Sequence, residues 1–231
     1  MDLNNHTSHE YDEELKAIRS KVLTMGGIVE QQVKDATKAL LKSNMKLADK
    51  AATSDHLVND LEIEIDEESA QIIAKRQPAA RDLRTVITVM KVINDLERIG
   101  DEAEKIARLS LELSDKSTLS DFRRELKHMV KLSRHLLVES LDCFARMDDI
   151  KAAELTKVDA ELDHEFDNLA RLLVSHAMED PRTIKNILKI NWCARALERI
   201  GDHAINICEY VVYLVKGKDI RHTTGIQAKS E

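Results

Sequence analysis

The chain has 231 residues, 43% hydrophobic and 33% charged, the make-up of a soluble globular protein rather than a disordered one. Its formal charge of −7 argues against nucleic-acid binding by phosphate neutralisation. No run approaches the roughly 18 apolar residues of a membrane helix, the densest being YVVYLV at 210–215.

Two prolines, six glycines and 3% aromatics leave little punctuation, so the expected fold is all-α, built from few long helices. The N-terminal MDLNNHTSHEYDEE lacks the basic and apolar regions of a secretory signal. A first helix is expected from Glu10 to Ser43, with Met25-Gly26-Gly27 as a potential bend. A second runs from Lys46 to Gln77, where Pro78 disfavours helix in the preceding residue. A third covers Ala79 to Leu113, and the polar stretch 114–118 reads as a linker. A fourth spans Leu119 to Met147, breaking at Asp148-Asp149, and a fifth continues to Met178. Asp180-Pro181 supplies an N-cap and a first-turn proline to a sixth, which stops at Lys216-Gly217-Lys218. The tail from 218 to 231 is expected to be mobile. Cys143, Cys193 and Cys208 form no CxxC and suit a reducing cytoplasm, where thiols pack as small apolar residues.

The hexapeptide LERIGD occurs at Leu96–Asp101 and again, 101 residues later, at Leu197–Asp202. The same offset without gaps pairs Leu61 with Leu162, Asp66 with Asp167, Arg81 with Arg182 and Ala103 with Ala204. It also pairs core-type positions, among them Ile73 with Val174 and Val86 with Ile187. The chain therefore reads as two tandem, internally duplicated three-helix bundles: residues 1–113 and 119–217, joined by 114–118 and followed by 218–231.

Within LERIGD, Glu97 and Asp101, and likewise Glu198 and Asp202, are one turn apart on one helix face, an arrangement that repels. Arg98 and Arg199, at i+1, are expected to point elsewhere. A second pair lies 35 residues upstream in each half: Glu62 with Asp66, and Asp163 with Asp167. Across an antiparallel hairpin the two pairs would face each other, giving four carboxylates per half. That is an oxygen cage for a divalent or trivalent metal ion such as Fe, Zn, Mn or Mg. Gly100 and Gly201 cost about 1 kcal/mol each against alanine, and serve either close helix approach or room for an ion. Glu125/His128 and Glu161/His164 have the E-x-x-H spacing of di-iron bundles but do not correspond under the duplication. His203 is matched by Glu102, which argues against a shared role. Arg76, Arg81 and Arg84, near the turn between the second and third helices, suit an acidic partner. No HExxH, phosphate loop or nucleophile elbow is present.

The stretch AKRQPAARDLR, the LERIGD-to-LERIGDHA duplication and the ending YLVKGKDIRH closely resemble the PhoU family of phosphate-transport regulators, from MGGIVEQQ to about His222. The resemblance implies two similar bundles in a cytoplasmic, often dimeric protein that is not an enzyme. It implies multinuclear metal clusters on Glu62, Asp66, Glu97, Asp101, Asp163, Asp167, Glu198 and Asp202. It also implies negative regulation of the phosphate-starvation response, by linking the ATP-binding subunit of the phosphate transporter to a sensor histidine kinase. The competing expectation is a carboxylate-bridged metal enzyme, ferroxidase-like, or a metal-storage bundle, but the duplicated motifs supply no histidine for it.

Overall fold

The computed structural model describes residues 9–53, 56–113 and 116–217, and among these there is no strand. The first half comprises α1 (His9–Lys42), α2 (Met45–Ala52), α3 (His56–Arg76) and α4 (Ala80–Glu112). The second comprises α5 (Lys116–Asp121), α6 (Arg123–Arg146), α7 (Asp149–Glu154), α8 (Thr156–Glu179) and α9 (Ile184–Lys216), with a 3-10 turn, Pro181–Thr183, before α9.

α4 and α9, 33 residues each, are the axial helices. They pack against each other and collect the remaining helices of their own halves around them. That central position explains the apolar residues of LERIGD: Leu96, Ile99 and Gly100, and Leu197, Ile200 and Gly201, are all buried. The two halves also meet along α1 and α6, where Gly26 makes room for Leu141; a Cβ there would lie 2.6 Å from Leu141 Cδ2. Met25-Gly26-Gly27 is thus a contact point within a continuous helix, not a break.

The long second and fifth helices expected from the sequence are each divided. α2 is capped by the Asn44 side chain, which accepts from the Leu47 N–H at 3.2 Å. α7 is capped by Asp148, which accepts from the Lys151 N–H at 2.9 Å. Such caps stabilise a helix start by about 1 kcal/mol. α6 ends at Met147, in the left-handed conformation at φ 57°, and α9 ends on Gly217 at φ 71°. The Asp180 side chain accepts from the Arg182 N–H at 3.2 Å, as its N-cap position requires. Of the expected linker, 114–118, the residues 116–118 are helical and open α5; 114–115, and the tail from 218, lie outside the described residues. All three cysteines are buried in the core, and no described helix is long and apolar enough to cross a membrane.

The gapless register survives only in part. Along the axial helices an offset of 101 superposes buried on buried: Val86 on Ile187, Val89 on Ile190, Ile106 on Ile207. On α3 and α8 the buried residues are Val58, Ile65 and Ser69 against Leu162, Leu169 and Leu173, an offset of 104. Ile73 and Val174, expected in the core, are 36% and 61% exposed. The α3–α4 turn takes three non-helical residues, 77–79, where α8 and the 3-10 turn are joined by Asp180 alone. A three-residue slip moves side chains about 4.5 Å along the axis and about 60° around it.

Candidate metal centre

The slip decides which acids meet. In the first half the Asn94 side chain hydrogen-bonds Glu62, and Arg98 and Asp101 act on Glu62 electrostatically. The residue 101 positions after Asn94 is Arg195, and it lies 5.7 Å over the ring of Phe166. Phe166, not Asp163, therefore occupies the place of Glu62. Asp163 takes the place of Asn59, nearer the start of its helix.

The second half consequently gathers a different set. One carboxylate oxygen from each of Asp159, Asp163 and Asp202 lies within 4.8 Å of the other two. Asp159 was not among the residues expected, because the 101 offset matches it with Val58. Glu198 stands beside them, paired with Arg195 through Oε1, while its Oε2 and the Oδ1 of Asp159 are shut off from water with no hydrogen-bond partner. Gly201 lets α8 approach: a Cβ at this position would meet Leu162 Cδ2 at 2.6 Å, Leu136 Cδ1 at 3.2 Å and Asp159 Oδ1 at 3.4 Å. Close helix packing is thus what the second glycine serves, and packing brings Asp159 to the site.

The electrostatics follow from burial without counter-charge. Burial, reinforced by the Asp163 and Asp202 carboxylates, pushes Asp159 up to about 7. Burial and Asp202 push Glu198 up to about 7, against the pull of Arg195. Asp202 is raised for the same reasons, chiefly burial and then Asp163. In the first half burial and Asp66 raise Glu62, and Arg98 opposes them. Arg98 does not point away from its neighbours as expected: its long side chain swings back, placing Nε 3.6 Å from Glu97 Oε2. Among the described residues, Glu62, Asp66, Glu97 and Asp101 form no group as tight as the second-half trio, and Asp167 does not join that trio.

The donor set fits a hard cation: several carboxylate oxygens, two of them buried and unpartnered, with their charge only partly offset by Arg195. Such a cation would be held by Asp159, Asp163, Asp202 and Glu198.

Other expected residues have different work. Arg199 crosses to the first half, its Nε 2.8 Å from Glu102 Oε1. His203 Nδ1 lies 2.7 Å from Asp95 Oδ1, which also accepts from Asn206 at 3.0 Å. Glu102 and His203 thus both lie at the seam between the halves, each with its own partner, and Asp95 belongs with them although no spacing in the sequence marked it. His128 lies 3.7 Å from Glu161 and 3.5 Å from Glu165 across α6 and α8, and Glu125 pairs with Arg124 at 3.0 Å. Arg76 forks onto Glu14 at 3.0 and 2.8 Å, leaving the exposed Arg81 freer to meet a partner than Arg76.

The duplicated architecture also has relatives. A family model described as the PhoU domain matches twice, over residues 22–110 and 126–211. The chain belongs to the PhoU family. The two matches begin 104 residues apart and end 101 apart, the same shift seen between the helices. The phosphate-specific transport system accessory protein PhoU homolog of Pseudomonas aeruginosa is 44% identical over 229 residues, 99% of this chain and 95% of that protein. The PhoU accessory protein of Escherichia coli is 44% identical over 228 residues, 97% of this chain and 93% of its own. The crystal structure of PhoU from P. aeruginosa matches with a TM-score of 0.85 at 43% identity, covering 90% of this chain and all of that one. The phosphate transport system regulatory protein PhoU from Streptococcus pneumoniae matches with a TM-score of 0.84 at 30% identity, over 90% and 98% of the two chains.

Proposed function

We propose that this PhoU-family protein is a cytoplasmic, non-enzymatic regulator of phosphate uptake that represses the phosphate-starvation response. It acts as an adaptor between the ATP-binding subunit of a phosphate ABC transporter and a sensor histidine kinase, as a homodimer. The observation that carries the reading is 44% identity, over nearly the whole chain, to accessory proteins of phosphate-specific transport. A divalent or trivalent cation on the carboxylates of each half, most strongly on Asp159, Asp163, Asp202 and Glu198, would relieve their repulsion and stiffen the faces presented to partners. The metal-enzyme alternative gains no support from the duplicated motifs, whose donors are all carboxylates; His203 is turned to Asp95 instead.

Deleting the gene and assaying alkaline phosphatase in phosphate-rich medium tests the regulatory role. Constitutive expression is expected, and a response that stays repressed would overturn it. Metal analysis of the wild type against Asp101→Ala with Asp202→Ala tests the cage, and equal metal content in the two would remove it. Rapid turnover of Fe²⁺ oxidation would restore the enzyme reading.

A further inference from the structure

α6 carries a second constellation that the adaptor reading does not use. Arg124, Lys127, His128, Lys131, Arg134, His135 and Val138 recur at three- and four-residue intervals and so share one face. That face lines an open cleft of about 950 Å³, walled by Leu41 from the C-terminal end of α1 and by Glu165 of α8.

The ion pairs in it do not balance. Arg124 is taken by Glu125, and His128 faces Glu161 and Glu165. His135 lies 3.9 Å from Glu139, which Lys151 already holds. Lys127, Lys131 and Arg134 have no acidic partner among the described residues, and Arg134 Nε is shut off from water without an acceptor. In a chain of net charge −7, three uncompensated cations within two helical turns make a local positive field in a concave, partly apolar setting.

The other half supplies a built-in control. α1, the first long helix of its half, lines a cleft of about 350 Å³ whose only charged residues are Asp35 and Lys50. Those two lie 3.5 Å apart and neutralise each other. The fold therefore does not require a basic cleft at this position: among the described residues, the cleft that α1 lines there is neutral and the one that α6 lines is not.

We infer that the α6 cleft is a binding site for a small, multiply phosphorylated anion, with Lys127, Lys131 and Arg134 as its phosphate contacts. The spacing suits a phosphate chain rather than a single ion: Lys127 and Lys131 are about 6 Å apart along the axis, and Lys127 and Arg134 about 10 Å. Arg134 offers the planar fork that matches phosphate oxygens. Leu41, Val130 and Val138 give an apolar floor, and the volume lies within the range of small-molecule sites. Inorganic oligophosphate and a nucleoside triphosphate share this chemistry and differ in their use of the floor.

The test is isothermal titration of the full-length protein in EDTA, which keeps phosphate from bridging through a metal, with tripolyphosphate and with ATP as separate probes. Binding that weakens steeply with salt is expected. A loss of at least tenfold in affinity is expected for Lys127→Gln with Lys131→Gln, exposed positions whose change leaves the helix intact by circular dichroism. Arg134→Met should lose as much. ATP binding more tightly than tripolyphosphate, with Val138→Asp removing the difference, identifies a nucleotide; equal affinities identify an inorganic chain. No binding of either probe at millimolar concentration, or equal binding by the glutamine variant, overturns the site. Asp202→Asn should bind both probes like the wild type, which separates this result from any failure of the carboxylate cage.

Discussion

Replacing Asp159 by asparagine keeps the shape of the side chain and removes its charge, and the expected effect changes sign with metal. Folding raises the Asp159 carboxyl from 3.8 to about 7, chiefly through burial. The folded state therefore holds a proton that the unfolded chain releases from about pH 4 upward. Stability falls as pH rises through that window, and the full penalty stands above pH 7. Three units at about 1.4 kcal/mol each set an upper bound near 4 kcal/mol. Solvent at the rim screens part of this, and part is shared with Asp163 and Asp202, leaving about 1–2 kcal/mol. In EDTA at pH 8, Asp159→Asn should thus stabilise the protein by about 1–2 kcal/mol, raising Tm by roughly 2–8 °C, with little effect at pH 4. With saturating Mn²⁺ the order should reverse, because the wild type gains binding energy that the variant lacks. Urea and thermal unfolding at both pH values measure it. A variant less stable than the wild type in EDTA at pH 8 would refute the idea that these acids are uncompensated.

Gly201→Ala should cost about 1–3 kcal/mol in urea unfolding, since its Cβ would meet Leu162 at 2.6 Å, whereas Gly27→Ala, with open space beside it, should stabilise by up to about 1 kcal/mol. Without denaturant, a thiol reagent at pH 8 should label none of the cysteines within minutes, since burial pushes Cys143 up to about 11 and Cys193 up to about 12 and raises Cys208 as well; mass spectrometry reads the adducts. Asp95→Ala and His203→Ala should each cost about 1–3 kcal/mol and be strongly non-additive when combined, a double-mutant cycle checking that they act as one pair across the seam.

Much of this fold is legible in the chain because its strongest signals are local. Pro78 and Asp180-Pro181 mark turns by backbone sterics, and LERIGD fixes the register of the axial helices by identity. The breaks before α3 and α8 carry no proline or glycine to mark them. The three-residue slip of α8 was hidden for a related reason. A gapless match anchored on α4 and α9 looks convincing at Leu61 and Leu162, and only burial reveals that Val58 is the true counterpart of Leu162. That slip hid Asp159, although Asp159, Asp163 and Asp167 place an acid on three successive turns, a repetition visible in the sequence alone. Asp95 had no comparable signal, since its partners lie 108 and 111 residues away.

Glu198 and Arg199, and again Asp202 and His203, are immediate neighbours on one rigid rod. The first of each couple turns toward the acid cluster, the second toward Glu102 and Asp95 of the other half. A rotation of α9 that re-aims one set must carry the other with it, as a single gear tooth engages on both flanks. The cluster and the seam are therefore read by the same torsional coordinate. By thermodynamic reciprocity, whatever a cation bound at the cluster would do to the grip between the halves, a partner that loosens or tightens that grip would do to the cation's affinity in equal measure.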